Sequence, residues 1–145
     1  MSKKQGSYSM LYNEILRLTK DKTDNYIITD SSDEKLNVLA TLLLDDRGRS
    51  DARSAAEKEI RIEIKGPQFH FYEKPRNIIA IQLFKNGNSA RDESNPLEIE
   101  ISRQNLRHLV SVWDRLMLMR PYHIILQRRH DSDTIEINYE QEDHL

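Results

Sequence analysis

The chain of 145 residues contains no cysteine. Disulfides, thiolate metal sites and cysteine nucleophiles are therefore excluded. Glycine and proline are scarce, at four each, and no segment is low in complexity. No Gly-x-Gly-x-x-Gly, phosphate loop or Gly-x-Ser-x-Gly elbow occurs, so close backbone cradling of a phosphate and an elbow-borne serine are not expected. Long apolar runs are missing too. Leu42–Leu44 and Leu116–Met119 are far too short to cross a bilayer. The opening MSKKQGSYSM has no apolar stretch after its lysines, so no secretory leader is expected. No large charge of one sign exists either. Lysine and arginine number 22 against 24 acidic residues, a formal net charge of −2. Such a balance does not announce a nucleic-acid or membrane partner, although it permits a local basic face.

What is present is pattern. Tyr8, Leu11, Tyr12, Ile15 and Leu16 recur at helical spacing, which predicts a helix over Ser7–Lys20 with Ser7 as cap. Asn25–Thr29 is short and β-prone. Ser31 with Glu34 three residues later is a capping-box pattern for a second helix. Its stripe is Leu36, Leu39, Leu42 and Leu43, and Gly48 lies near its expected C-cap. Residues 46–58 are charged and read as a flexible joint, with a short helix around Ala52–Lys58.

Beyond the joint the period changes from 3.6 to 2. Ile60, Ile62 and Ile64 alternate with charged residues, QFHFYE (68–73) is aromatic, IIAIQLF (78–84) is apolar throughout, and Leu97, Ile99 and Ile101 alternate with glutamates. Four strands are expected. Ser102 then caps a helix to Met119 with a stripe of Leu106, Leu109, Val110, Trp113, Leu116 and Met117, which Pro121 follows. YHIILQ (122–127) and TIEINY (134–139) predict two more strands. The expected fold is α+β: one antiparallel sheet with a long amphipathic helix packed on it, preceded by two N-terminal helices. A single domain spanning residues 1–145 is expected: a helical N-terminal region over residues 1–45, the joint 46–58, sheet plus helix over 59–140, and a loose tail 141–145.

No catalytic constellation emerges, so the expectation is a non-catalytic protein without cofactor or metal; a site assembled from distant residues stays open. The five histidines have no helical i, i+4 pair. His123 and His130, with Asp131 and Asp133, are the one conceivable ligand group. The carboxylate pairs Asp45-Asp46, Asp92-Glu93 and Glu98/Glu100 read as solvated.

Three features point to binding. In the aromatic strand, Phe69 and Phe71 share one face and His70 and Tyr72 the other, flanked by Lys65, Lys74 and Arg76. Aromatics edged by cations on a sheet stack single-stranded bases. Arg103 and Arg107 lie one helical turn apart, with Arg120, Arg128, Arg129, Arg47, Arg49 and Arg53 as further phosphate-tracking candidates, against a salt-bridged surface as the alternative. Trp113, Leu116, Met117, Leu118 and Met119 make the helix end apolar nearly all round; the excess packs either on the N-terminal helices or on a second copy, with Trp113, Leu116, Met117 and Met119 as the candidate homo-oligomer interface.

Residues Glu59–Met119 read as four antiparallel strands and a helix, which resembles the unit of the Whirly, positive-cofactor-four and Pur-alpha group. LEIEISRQNLRHLVSVW is similar to the strand and amphipathic helix of positive cofactor four. The resemblance implies a single-stranded nucleic-acid binder that dimerises through its helix and binds on curved sheets. The leading expectation is thus an intracellular, cytoplasmic or nuclear, DNA- or RNA-binding protein. It would use Lys65, Phe69, Phe71, Tyr72, Lys74, Arg76, Arg103 and Arg107. The rival is a protein–protein module: an assembly subunit, an adaptor, or a viral or mobile-element inhibitor of a host factor.

Overall fold

A computed structural model describes residues 12–58, 63–84, 96–129 and 134–141. Those residues form eight strands and three helices. In chain order they are β1 (Tyr12–Lys20), β2 (Tyr26–Ser31), α1 (Glu34–Leu44), α2 (Asp46–Glu57), β3 (Glu63–Lys65), β4 (Phe69–Lys74), β5 (Ile78–Leu83), β6 (Leu97–Ser102), α3 (Arg103–Met119), β7 (His123–Arg129) and β8 (Ile135–Glu140).

The fold is α+β, but the single sheet with two preceding helices is overturned. There are two four-stranded antiparallel sheets, one ordered β2-β1-β7-β8 and one ordered β3-β4-β5-β6. The largest departure is at the N-terminus, where β1 replaces most of the expected first helix. YNEILRLTK fits both periods. Leu16 and Leu18 are fully buried, whereas Ile15, Arg17 and Thr19 between them are half-buried. Strand pairing with β2 and β7 on both sides decides the ambiguity, because it satisfies a whole run of backbone groups. Ser7 and the start of that expected helix lie outside the described residues.

The joint is also corrected: residues 46–57 are helix α2. Asp45 ends α1 in extended conformation (ψ 124°), and its carboxylate accepts from Gly48 N at 2.6 Å to cap α2. The buried stripe of α2 is Gly48, Ala52, Ala55 and Ala56. Small residues give no hydrophobic signal, yet they let α2 approach α3 and β4 closely. Gly48 is thus inside a helix rather than at the C-cap of α1. A Cβ there would lie 3.0 Å from Leu42 Cδ1 and 3.1 Å from Phe69 Cε2. The cap of α1 is Asp33, which accepts from Lys35 N at 2.9 Å, while Ser31 bonds Asn37 Oδ1.

The helices join the sheets around one core. α1 touches β1 and β2 of one sheet and β5 and β6 of the other; α3 touches α2, β6 and β8. The inner row Ile64–Phe71–Ile81–Ile99 crosses the second sheet in register. Leu16, Leu18, Ile124, Leu126 and Ile135 supply the inner face of the first. α3 starts at the expected cap, Ser102 Oγ accepting from Asn105 N at 3.0 Å. The Asn105 side chain then clamps β8: Ile135 N donates to its Oδ1 at 2.8 Å, and its Nδ2 donates to Ile135 O at 3.3 Å. That two-point contact imitates a strand partner and fixes α3 against the first sheet.

Candidate binding face and groove

Alternation along β4 sorts its aromatics. Phe69 and Phe71 are 2% and 0% exposed and belong to the core. They are not the stacking platforms expected from the sequence, because Ile81 and Ile64 flank Phe71 on the buried face. His70 and Tyr72 point the other way and are half-buried. His70 lies 5.6 Å from Tyr72 and 6.4 Å from Phe84 between ring centroids, so three rings line the outer face of the second sheet.

A polar network holds Tyr72. Its hydroxyl donates to Glu98 Oε1 at 2.6 Å, and Gln82 Nε2 donates to the same oxygen at 2.9 Å. Lys74 Nζ reaches Glu98 Oε2 at 3.3 Å and Glu100 Oε2 at 2.5 Å, and stands 5.7 Å from the Tyr72 ring. Burial pushes the Glu98 carboxyl up, but the Tyr72, Gln82 and Lys74 donors together hold it below its ordinary value. Burial, then the hydrogen bond to Glu98, raises the Tyr72 hydroxyl. The Glu100 bond raises Lys74 against some desolvation. Lys74 is therefore a fixed element of the face, and its charge is already matched.

Most of the expected phosphate-tracking arginines are engaged within the protein. Arg103 is 4% exposed. Its Nε donates to Asn77 Oδ1 at 2.7 Å, Nη1 to Ala55 O at 2.6 Å and to Lys58 O, and Nη2 to Glu73 Oε1 at 2.6 Å. Arg107 Nη2 donates to Ala56 O at 2.7 Å. Arg47 pairs with Asp51, Arg49 with Asp46, Arg53 with Asp114, Arg120 with Asp24, Arg128 with Glu14 and Arg129 with Glu136. The salt-bridged alternative describes this surface better. The expected oligomer interface also divides: Trp113 and Leu116 are core, Met117 is half-buried, and Met119 is 43% exposed.

A groove of about 670 Å³ runs along β6 beside this face, lined by residues that include Lys35, Arg76, Glu98, Glu100, Ser102 and Arg128. It brings together residues from α1, the β4–β5 turn, β6 and β7. Lys74 bridges Glu98 and Glu100 and offsets one of their two negative charges. Lys35 and Arg76 have no side-chain partner among the described residues. Arg76 sits at the tip Pro75-Arg76-Asn77 with φ 69°, a left-handed conformation unusual for arginine. Arg103 braces that tip, since Arg103 N also donates to Asn77 O at 3.0 Å. Arg103 thus positions a cation rather than serving as one.

Lys65 is exposed and pairs in register with His70. Sequence reasoning missed Lys35, which reads as an ordinary first-turn residue of a helix; only the packing of α1 against β6 reveals it. Among the described residues no group of three His, Asp or Glu could hold a metal. His130, Asp131 and Asp133 lie outside them, and His123 Nδ1 meets Thr19 Oγ1 at 2.9 Å. No described helix is long and apolar enough to cross a membrane. No family model, curated protein or solved structure matches the chain.

Proposed function

We propose that the protein is a non-catalytic binder of single-stranded DNA or RNA, working across the outer face of the second sheet into the β6 groove. The observation that carries this reading is the placement of Lys35 and Arg76. These two cations, without a side-chain partner among the described residues, share a groove with Glu98 and Glu100 next to a face presenting Tyr72 and His70. Bases stack on those rings, and phosphates lie at Lys35 and Arg76 on one side and Lys65 on the other. Glu98 and Glu100 keep phosphates off the middle of the face, so the strand lies with its bases inward. The order β3-β4-β5-β6-α3, the strand-and-helix order of the Whirly, positive-cofactor-four and Pur-alpha group, supports the same reading.

Fluorescence anisotropy of labelled single strands, titrated over a salt series, tests it. Lys35→Ala and Arg76→Ala are each expected to weaken binding and to flatten the log–log salt slope by about 0.7 for each phosphate contact removed. Absence of binding at low salt overturns the proposal.

A second reading, a protein–protein module, has its own observation. The outer face of the first sheet carries Ile15, Ile27 and Ile125, and Ile27 is 47% exposed. Ile27→Glu is expected to abolish association with a protein partner across this face while leaving Tm unchanged. Partner capture followed by a melting curve checks both halves.

A further inference from the structure

We infer, resting on the single-strand reading above, that the face selects RNA over DNA, with the Glu100 carboxylate accepting a hydrogen bond from a ribose 2′-hydroxyl. The groove that offers Lys35 and Arg76 to phosphates also contains Glu98 and Glu100. Carboxylates beside a polyanion oppose binding unless they serve the fold or take a hydrogen bond from the ligand. The two glutamates divide on this point. Glu98 has both oxygens occupied: Oε1 accepts from Tyr72 and Gln82, and Oε2 from Lys74. Its side chain is 26% exposed, and it serves the fold by holding Tyr72. Glu100 gives one oxygen, Oε2, to Lys74 at 2.5 Å. Its Oε1 has no partner among the described residues, and its side chain is 51% exposed. One charged acceptor is therefore open to the groove.

Strand register puts that acceptor where a sugar lies. Tyr72, Ala80 and Glu100 form one row across β4, β5 and β6. Neighbouring strands are about 4.8 Å apart, so the backbones at the two ends of the row are about 10 Å apart. The Tyr72 side chain spans much of that gap, since its hydroxyl reaches Glu98 on β6. Ala80 between them is small and fully covered. The next row, Lys74, Ile78 and Ser102, ends beside the turn that carries Arg76. It is one two-residue step from Glu100, about 7 Å along β6. A nucleotide with its base on the Tyr72 ring and its phosphate at Arg76 has its sugar between the two, at Glu100. The donor that comes with a sugar is the 2′-hydroxyl, which RNA has and DNA lacks. An ionised carboxylate only accepts, so it suits that hydroxyl, and dinucleotide-binding folds use a carboxylate on ribose in the same way. A deoxyribose leaves Glu100 facing the phosphodiester chain with nothing in return.

Fluorescence anisotropy with labelled oligo(U), oligo(dU) and 2′-O-methyl oligo(U) of equal length isolates the hydroxyl, because the bases are identical. Oligo(U) is expected to bind about 10-fold tighter than oligo(dU), the scale of one hydrogen bond to a charged group. The methylated probe has lost the donor and should bind like oligo(dU). Glu100→Ala should weaken oligo(U) by about 10-fold and tighten oligo(dU) by about twofold, because a like charge leaves the groove. Opposite signs for the two sugars cannot come from unfolding, which weakens both. Glu100→Gln keeps an acceptor oxygen and should retain part of the preference.

Equal, salt-sensitive binding of oligo(U) and oligo(dU) overturns the inference and leaves the single-strand reading standing. A preference for RNA that survives 2′-O-methylation also overturns it, by assigning the choice to sugar shape. One that survives Glu100→Ala does the same, by assigning the hydroxyl to another acceptor. No binding of any of the three probes at low salt overturns both readings together.

Discussion

Arg103→Ala is expected to destabilise the protein by about 3–5 kcal/mol, the range for breaking a buried ion pair by removing one partner. Against a native stability of order 5–15 kcal/mol this is a large fraction. The guanidinium is almost fully buried and serves acceptors from three places: Ala55 and Lys58 at the end of α2, Glu73 at the end of β4, and Asn77 in the β4–β5 turn. Its removal leaves a carboxylate, two backbone carbonyls and the Asn77 side-chain oxygen short of a donor. Arg103→Lys should recover little, because one ammonium cannot reproduce the planar fork that spans these acceptors. Urea unfolding is the measurement. A lower midpoint at unchanged slope is the expected signature. Nucleic-acid affinity of the folded fraction should also fall modestly, through loss of the brace on Arg76. If affinity collapses while the midpoint stays put, Arg103 contacts the ligand directly and its assignment as a positioning residue is wrong.

The same residue shows how far the sequence can be read. Arg103 and Arg107 stand one turn apart after a clean cap, which reads as a cationic helix face. Nothing local says that α2 and the Asn77 turn close over the first of them. That depends on α2 lying against α3, and the stripe that puts it there is Gly48, Ala52, Ala55 and Ala56. Its packing comes from smallness, and hydropathy does not register smallness. The second sheet was far more legible. β3 and β6 alternate apolar with charged residues and β5 is apolar throughout, the Gly66-Pro67 and Pro75-Arg76-Asn77 breaks fall where β4 begins and ends, and α3 starts and stops within a residue of its expected limits. The first sheet was the opposite case. β7 and β8 were visible, but β1, the other partner of β7, was hidden in a segment whose apolar residues satisfy helical spacing as well as alternation. Its strand identity comes from pairing with residues about 110 positions away.

The two sides of β4 separate stability from binding, and adjacent substitutions should show it. Phe71→Ala is expected to cost about 3–5 kcal/mol, because a buried aromatic is deleted from the row that links Ile64, Ile81 and Ile99. Whatever folds of this variant should bind single strands as the parent does. Tyr72→Ala, one residue on, should cost only about 1 kcal/mol of stability, since its ring is half-buried and Glu98 keeps the Gln82 and Lys74 donors. Its affinity should fall by about 1–3 kcal/mol per base stacked on that ring. Tyr72→Phe divides the effect further: it keeps the stacking surface and removes only the bond to Glu98. If Tyr72→Phe binds like the parent while Tyr72→Ala does not, the ring itself carries the contact. Full binding by folded Tyr72→Ala removes the outer face of the second sheet from the nucleic-acid site, and Lys35 and Arg76 in the β6 groove must then be explained by a smaller anion. The comparison has force because Phe71 and Tyr72 differ in little except which side of one strand they occupy. A sheet that binds on its outer face must show affinity and stability alternating along β4 with the period of the strand.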